Sequence, residues 1–282
     1  MADGRGQKRR AGVRLWLSAL WLAVVVLVAV FAAWVAPKDP LAQDLFSGRL
    51  PPFWVAGADK SFLLGTDSLG RDVLSRIIFG ARIALQVALI AGTLTCLIGA
   101  TLGLLAGVLR GWVDVVISRL IDIWMAFPPV LFSVLLIAVL GPGLFSIITA
   151  IVVIDWTRFA RVIRADAMGQ GVMDYVASAR VAGRSRLGTM VVEILPNVLP
   201  TIVVLLTLEM GIAVIVEAIL SFVNLSISTD DQTWGGMIAE GRTSVHQAWW
   251  VLVFPLITLF LTVLAFSQLG EGLKDRFDPV LR

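Results

Sequence analysis

Cysteine and histidine each occur once in the 282 residues. The lone Cys96 excludes an intrachain disulfide, and with His246 it leaves too few ligands for a zinc or haem site built from this chain alone. Charge is scarce too: 15% of residues are Asp, Glu, Lys or Arg, against roughly 25% in soluble domains. No Gly-Lys pair is present, so a G-x-x-x-x-G-K-[ST] phosphate loop is excluded, as are H-E-x-x-H and C-x-x-C. A serine nucleophile would lack a nearby histidine base, and Asp114, Asp122 and Asp155 show no paired-carboxylate spacing. No covalent catalysis is expected from the chain itself, and no metal site. What is plentiful is apolar surface: 58% hydrophobic residues and a mean hydropathy of +0.90.

At least five apolar runs reach the ~20 residues that cross a bilayer core, so a water-soluble globule is excluded. Leu15 to Ala36 follows Arg5, Lys8, Arg9, Arg10 and Arg14, and is read as a retained helix because a signal peptide has a shorter apolar core. Ile83 to Leu109 is uncharged and carries Gly99, Gly103 and Gly107 at every fourth residue, a small-residue face read as internal helix packing. Ile123 to Ile154 is broken by Gly141-Pro142-Gly143 and is split there into two helices. The fifth run is about 197–222, and the sixth runs from Trp249 to Leu269. The expected organisation is an arm at 1–14, a first span at 15–36, and a Pro- and Gly-rich outer loop at 37–82. A five-helix core follows at 83–270, with a cytoplasmic segment at 161–196 and a tail at 271–282.

Basic residues sit at the ends of these runs, which reads as topology rather than nucleic-acid binding. With a cytoplasmic N-terminus and alternating helices, 16 Lys and Arg fall inside and 7 outside. Both termini are therefore expected in the cytoplasm, with membrane lipid the general neighbour. His246 falls outside, as an interfacial side chain.

Three groups of residues stand out. Between spans four and five, helix formers run to Gly183, a second helical stretch follows, and Pro196 and Pro200 precede span five. Two short helices meeting at a glycine would form a compact cytoplasmic knob; a solvated basic loop beside anionic headgroups is the alternative. Before span two, Gly65 and Gly70 suit a tight turn that Asp67, Arg71 and Asp72 can hold by pairing. Within span five, Glu209 and Glu217 lie eight residues apart and face broadly similar directions. Ionisable groups in a span usually face a cavity or a partner. That reading is taken for Glu209, while Glu217 admits either a cavity or hydration near the outer end. Asp155 and Arg158 are spaced for an i,i+3 pair.

Tyr175-Val-Ala-Ser-Ala179-Arg-Val-Ala-Gly183 followed by Ile194-Leu195-Pro196 resembles the EAA loop of bacterial ABC importer permeases. Ala179, Gly183, Leu195 and Pro196 match the pattern. Ala177 and Ser178 depart from it, and Asp174 is the carboxylate available in place of the usual glutamate. Leu64-Gly-Thr-Asp-Ser-Leu-Gly-Arg-Asp72, Ser221-Phe222, Trp234-Gly235 and Gly270 through Asp278-Pro279 resemble the C-type subunit of the dipeptide/oligopeptide/nickel branch; Asn224-Leu-Ser226 departs from it.

The resemblance implies an all-α, six-span type I ABC importer permease in the bacterial cytoplasmic membrane. It further implies a homologous B-type permease partner, two ATPase subunits or a fused double ATPase holding ATP and Mg, and an extracytoplasmic binding protein. Asp174, Tyr175, Ala179, Gly183, Leu195 and Pro196 would form the ATPase-coupling segment. Peptides lead as cargo, with nickel chelates, opines or haem as alternatives. A secondary transporter would need no ATPase and often shows internal repeats, which the sequence lacks.

Overall fold

The computed structural model describes residues 3–223, 225 and 232–277. Asn224, Ser226, Asp278, Pro279 and the last residues of the tail lie outside them. Eleven α-helices are described: α1 (Asp3–Val30), α2 (Ala32–Val35), α3 (Val73–Leu109), α4 (Gly111–Met125), α5 (Pro129–Leu140), α6 (Leu144–Gln170), α7 (Asp174–Val181), α8 (Arg186–Thr189), α9 (Leu195–Phe222), α10 (Trp234–Thr243) and α11 (Trp249–Phe277). A π-turn at Met190–Ile194 joins α8 to α9. Among the described residues there is no strand beyond one bridge between Thr66 and Asp72.

The long helices associate through close backbone approach. Lipid tails are as apolar as leucine, so packing rather than water exclusion must hold spans together. The small-residue stripe of α3 does this against α6: a Cβ on Gly103 would stand 2.6 Å from the Ala160 carbonyl oxygen, and one on Gly107 2.8 Å from that of Arg164. Trp234 at the start of α10 is buried over Gly80 of α3 and donates from Nε1 to the Ile77 carbonyl at 3.0 Å. α1 lies along α11, tied by Trp21 Nε1 to Thr262 Oγ1 at 3.2 Å.

Several helix bounds differ from those of the apolar runs. α3 starts at Val73 because Asp72 caps it, accepting from the Ser75 amide at 2.8 Å. The early charged turns of α3 are useful there: Arg82 Nε donates to the Ala29 carbonyl at 2.8 Å, satisfying an orphan group at the end of α1. The stretch from Ile123 to Leu140, expected as one helix, is two. Pro128 and Pro129 cannot continue α4, and α5 leaves at a bend of 86°. Gly141 and Gly143, both at positive φ, then separate α5 from α6 as expected.

By length and apolarity four helices can cross a membrane, or five with α4 and α5 as one broken span. α6 falls outside that count because Asp155, Arg158 and Arg161 interrupt it. The six-span count rests on including it.

Candidate functional site

The turn before α3 is a buried ion-pair lattice. Asp67 accepts from the amides of Leu69 at 2.8 Å and Arg71 at 3.0 Å, from Arg71 Nε at 2.6 Å and from Arg76 Nη1 at 2.5 Å. Arg71 Nη2 donates to both Glu240 oxygens at 3.0 Å, and Arg76 Nη1 reaches Glu240 at 2.7 Å. Arg76 Nε also donates to Gln232 Oε1. Burial works against the Arg71 charge, yet Glu240 and Asp67 outweigh it and raise its pKa above the ordinary arginine value. Gly70 has φ +74, and a Cβ there would lie 1.8 Å from the Asp44 carbonyl oxygen, so only glycine fits. Gly65 is likewise at positive φ, with Trp250 Nε1 donating to the neighbouring Thr66 carbonyl at 2.9 Å. Asp72 does not join the lattice; it caps α3. Sequence reasoning missed Glu240 and Gln232, which come from α10 and the residues before it.

The carboxylates of α9 lie deep. Glu209 is 3% exposed and Glu217 1%, so Glu217 is buried rather than open to water. Glu217 accepts from Ser221 Oγ one turn on. Glu209 Oε2 stands 4.0 Å from Arg158 Nη1, and the same guanidinium donates from Nη2 to Asp155 Oδ1 at 3.2 Å. The i,i+3 pair thus extends across to α9. Glu209 Oε1 has no hydrogen-bond partner among the described residues. Arg158 is half-exposed, so this cluster of two acids and one base opens to the surface on one side. Asp114 and Asp122 pair instead with Arg164 and Arg161 on α6.

The knob is built at the other end of α3. α7 ends in a Schellman motif: Arg184 N–H donates to the Ala179 carbonyl at 3.1 Å and Gly183 N–H to that of Arg180 at 3.0 Å. Gly183 has φ +83, which explains the Ala179–Gly183 spacing in physical terms. Ser185 caps α8 by accepting from the Gly188 amide at 3.1 Å. Tyr175 Oη donates to Gln170 Oε1 at 2.8 Å, and Arg184 pairs with Glu193 at 3.2 Å. Val176 and Ile194 are buried against Ile163, Ala167 and Val108, rooting the knob in α3, α6 and α9. Leu195 is half-buried, while Pro196 is exposed at the head of α9. Outward it presents Asp174, Val172, Met173, Val181 and Leu187, with Val181 89% exposed and open space around Gly183.

These features define a multi-pass helical membrane protein carrying an ion-paired loop at one end and an exposed helical knob at the other. Residues 99–282 match the family of binding-protein-dependent transport system inner membrane components. The chain is 40% identical over 263 residues to the di/tripeptide transport system permease protein DppC of Pseudomonas aeruginosa, covering 93% of this chain and 87% of that protein. It is 36% identical over 264 residues to the glutathione transport system permease protein GsiD of Pectobacterium atrosepticum, covering 93% and 86%. Against the dipeptide transport system permease protein DppC of Escherichia coli the identity is 36% over 275 residues, covering 98% and 91%. Its fold is similar to a chain of the inward-facing MetNI methionine ABC transporter, with a TM-score of 0.61, 18% identity, and coverage of 72% of this chain and 96% of that one. The chain belongs to the family of inner-membrane permease components of binding-protein-dependent transport systems.

Proposed function

We propose that this permease carries di- or oligopeptides as the C-type half of an ATP-driven importer. Its partners are a homologous B-type permease, cytoplasmic ATPase subunits that hold ATP and Mg, and an extracytoplasmic binding protein. The peptide and glutathione systems named for its relatives support that cargo. α6 serves as the fourth of six spans, and both termini lie with the knob in the cytoplasm, in keeping with the basic bias. Asp174, Tyr175, Ala179, Gly183, Leu195 and Pro196 form or brace the ATPase-docking knob, and Glu209 and Glu217 face or border the solute path.

One observation carries the coupling role: the knob is capped by a Schellman turn and rooted by Val176 and Ile194 in the same core as α3, α6 and α9. A push on Val181 is therefore delivered to long helices rather than absorbed by a loose loop. Free energy released elsewhere shifts the helices between two arrangements only through such a differential contact.

Gly183→Val tests this, since a β-branched residue disfavours φ +83 and adds bulk to the exposed turn. Membrane insertion should be unchanged, while ATPase co-elution or peptide-stimulated hydrolysis falls at least tenfold. Wild-type values for both would remove the coupling assignment.

A further inference from the structure

α1 and α11 run side by side and leave between them an open groove of about 600 Å³. Leu17 and Trp21 line one side, Leu264 and Ala265 the other. The two helices are antiparallel. A Cβ on Gly272 would meet Leu15 at 2.6 Å, and one or two turns further along Trp21 bonds Thr262. This register gathers the polar lining, Arg14 and Gln268, toward the N-terminal end of α1. Ser18, also in the wall, donates its hydroxyl within α1 to the Leu15 carbonyl at 3.0 Å.

Arg14 is exposed and has no carboxylate partner among the described residues. Gln268 Nε2 makes one long contact, 3.5 Å to Glu271. The groove is therefore apolar along its length and ends in a free guanidinium, whose planar fork matches phosphate oxygens. From Arg14 to Trp21 the helix rises roughly 10 Å, which fits within one leaflet of a ~30 Å core.

We propose that this groove holds one anionic phospholipid of the leaflet at the N-terminal end of α1. An acyl chain lies between Trp21 and Ala265, and the phosphate takes Arg14, with the Gln268 amide as a second donor. The charge pattern selects an anionic over a zwitterionic lipid. Arg14 has no carboxylate partner among the described residues, and on α11 Lys274 and Arg276 stand in the last turn with Glu271 about one turn before them. A headgroup of net negative charge completes the unpaired Arg14, whereas a zwitterionic one already balances its own phosphate and gains less. The bound lipid would bridge the peripheral helix α1 to α11.

The test purifies the assembled transporter from bilayers containing phosphatidylglycerol and phosphatidylcholine and counts retained lipids by native mass spectrometry. Phosphatidylglycerol should be retained over phosphatidylcholine, and Arg14→Gln should lower its retention at least threefold. Arg119→Gln, an exposed arginine on α4, should not. Leu264→Trp, which narrows the groove from its exposed wall without touching the charge, should lower it as well. Should that variant fail to assemble, quenching by brominated phosphatidylglycerol supplies the same information, because Trp21→Phe should remove part of the quenching. Equal retention in the Arg14 and Arg119 variants, equal retention of both lipids, or quenching indifferent to Trp21 would each overturn the proposal.

Discussion

Glu209, at 3% exposure, carries one oxygen without a partner among the described residues, and it shares Arg158 with Asp155. Burying a carboxylate without full compensation is costly, which is the physical ground for testing whether this side chain serves transport. Glu209→Gln keeps its shape and removes its charge. Uptake by the reconstituted transporter should fall about tenfold or more while the yield of assembled complex stays within about a factor of two, the mark of a functional rather than structural group. Unchanged uptake would reduce Glu209 to an incidental carboxylate. Gly70 is the opposite kind of residue, required by geometry alone. With φ +74 and the Asp44 carbonyl 1.8 Å from an added Cβ, Gly70→Ala should destabilise the loop before α3 by more than about 1 kcal/mol. Faster proteolysis within residues 44–72 would report it; an unaltered cleavage rate would contradict the packing.

Among the elements, the loop before α3 and the helix α10 are joined by charges beside an apolar cluster that includes Leu64 and Met237. Arg76 is nearly buried and serves Asp67, Glu240 and Gln232 together, while Glu240 is 41% exposed. Removing one partner of a buried pair leaves the other charge stranded, at a typical loss of about 3–5 kcal/mol. Partly exposed partners are screened by water and contribute less, about 1 kcal/mol or below. Arg76→Met should therefore lower thermal stability clearly more than Glu240→Gln does. The reverse order in a thermal-shift assay would show that Glu240, not Asp67, anchors the lattice. Gly65, Asp67, Gly70 and Arg71 were legible as a turn because their spacing is local. Glu240 was not, since it lies 164 residues from Arg76 and no local pattern ties the two together.

On the scale of the whole molecule, α3 is the axis. Its 37 residues span about 55 Å, well beyond a ~30 Å bilayer core, with the ion-paired loop at one end and the knob near the other. Arg186 Nη1 approaches the Leu109 carbonyl at 3.5 Å, where the knob meets the far end of this helix. If the basic bias sets the topology, single cysteines in a Cys96→Ala background should respond by side. Lys60→Cys should react with an impermeant reagent added outside intact cells, and Gly183→Cys and Arg282→Cys should not. Outside labelling of the cysteine at 282 would invert the assignment. Much of the span layout could be read from composition and apolar runs, while the family was legible only through the resemblance of the motifs around Gly183 and Gly65–Asp72. The break at Pro128-Pro129 turned one expected helix into a bent pair, because proline position constrains a helix more strongly than continued apolarity extends it.

What this sequence determined by itself was whatever depends on near neighbours. Scarce charge and long apolar runs required membrane helices, Gly141-Pro142-Gly143 marked a break, and Gly183 after a run of helix formers suited the end of a short helix. What only the tertiary structure decided was which distant groups meet. Arg158 spans from Asp155 to Glu209, Arg76 reaches α10, the glycines of α3 receive α6, and Arg14 stands at the mouth of an apolar groove without a carboxylate partner among the described residues. Periodicity states which face of a helix is apolar or small. It does not state which other helix arrives there, because that choice belongs to the packing of all the spans at once.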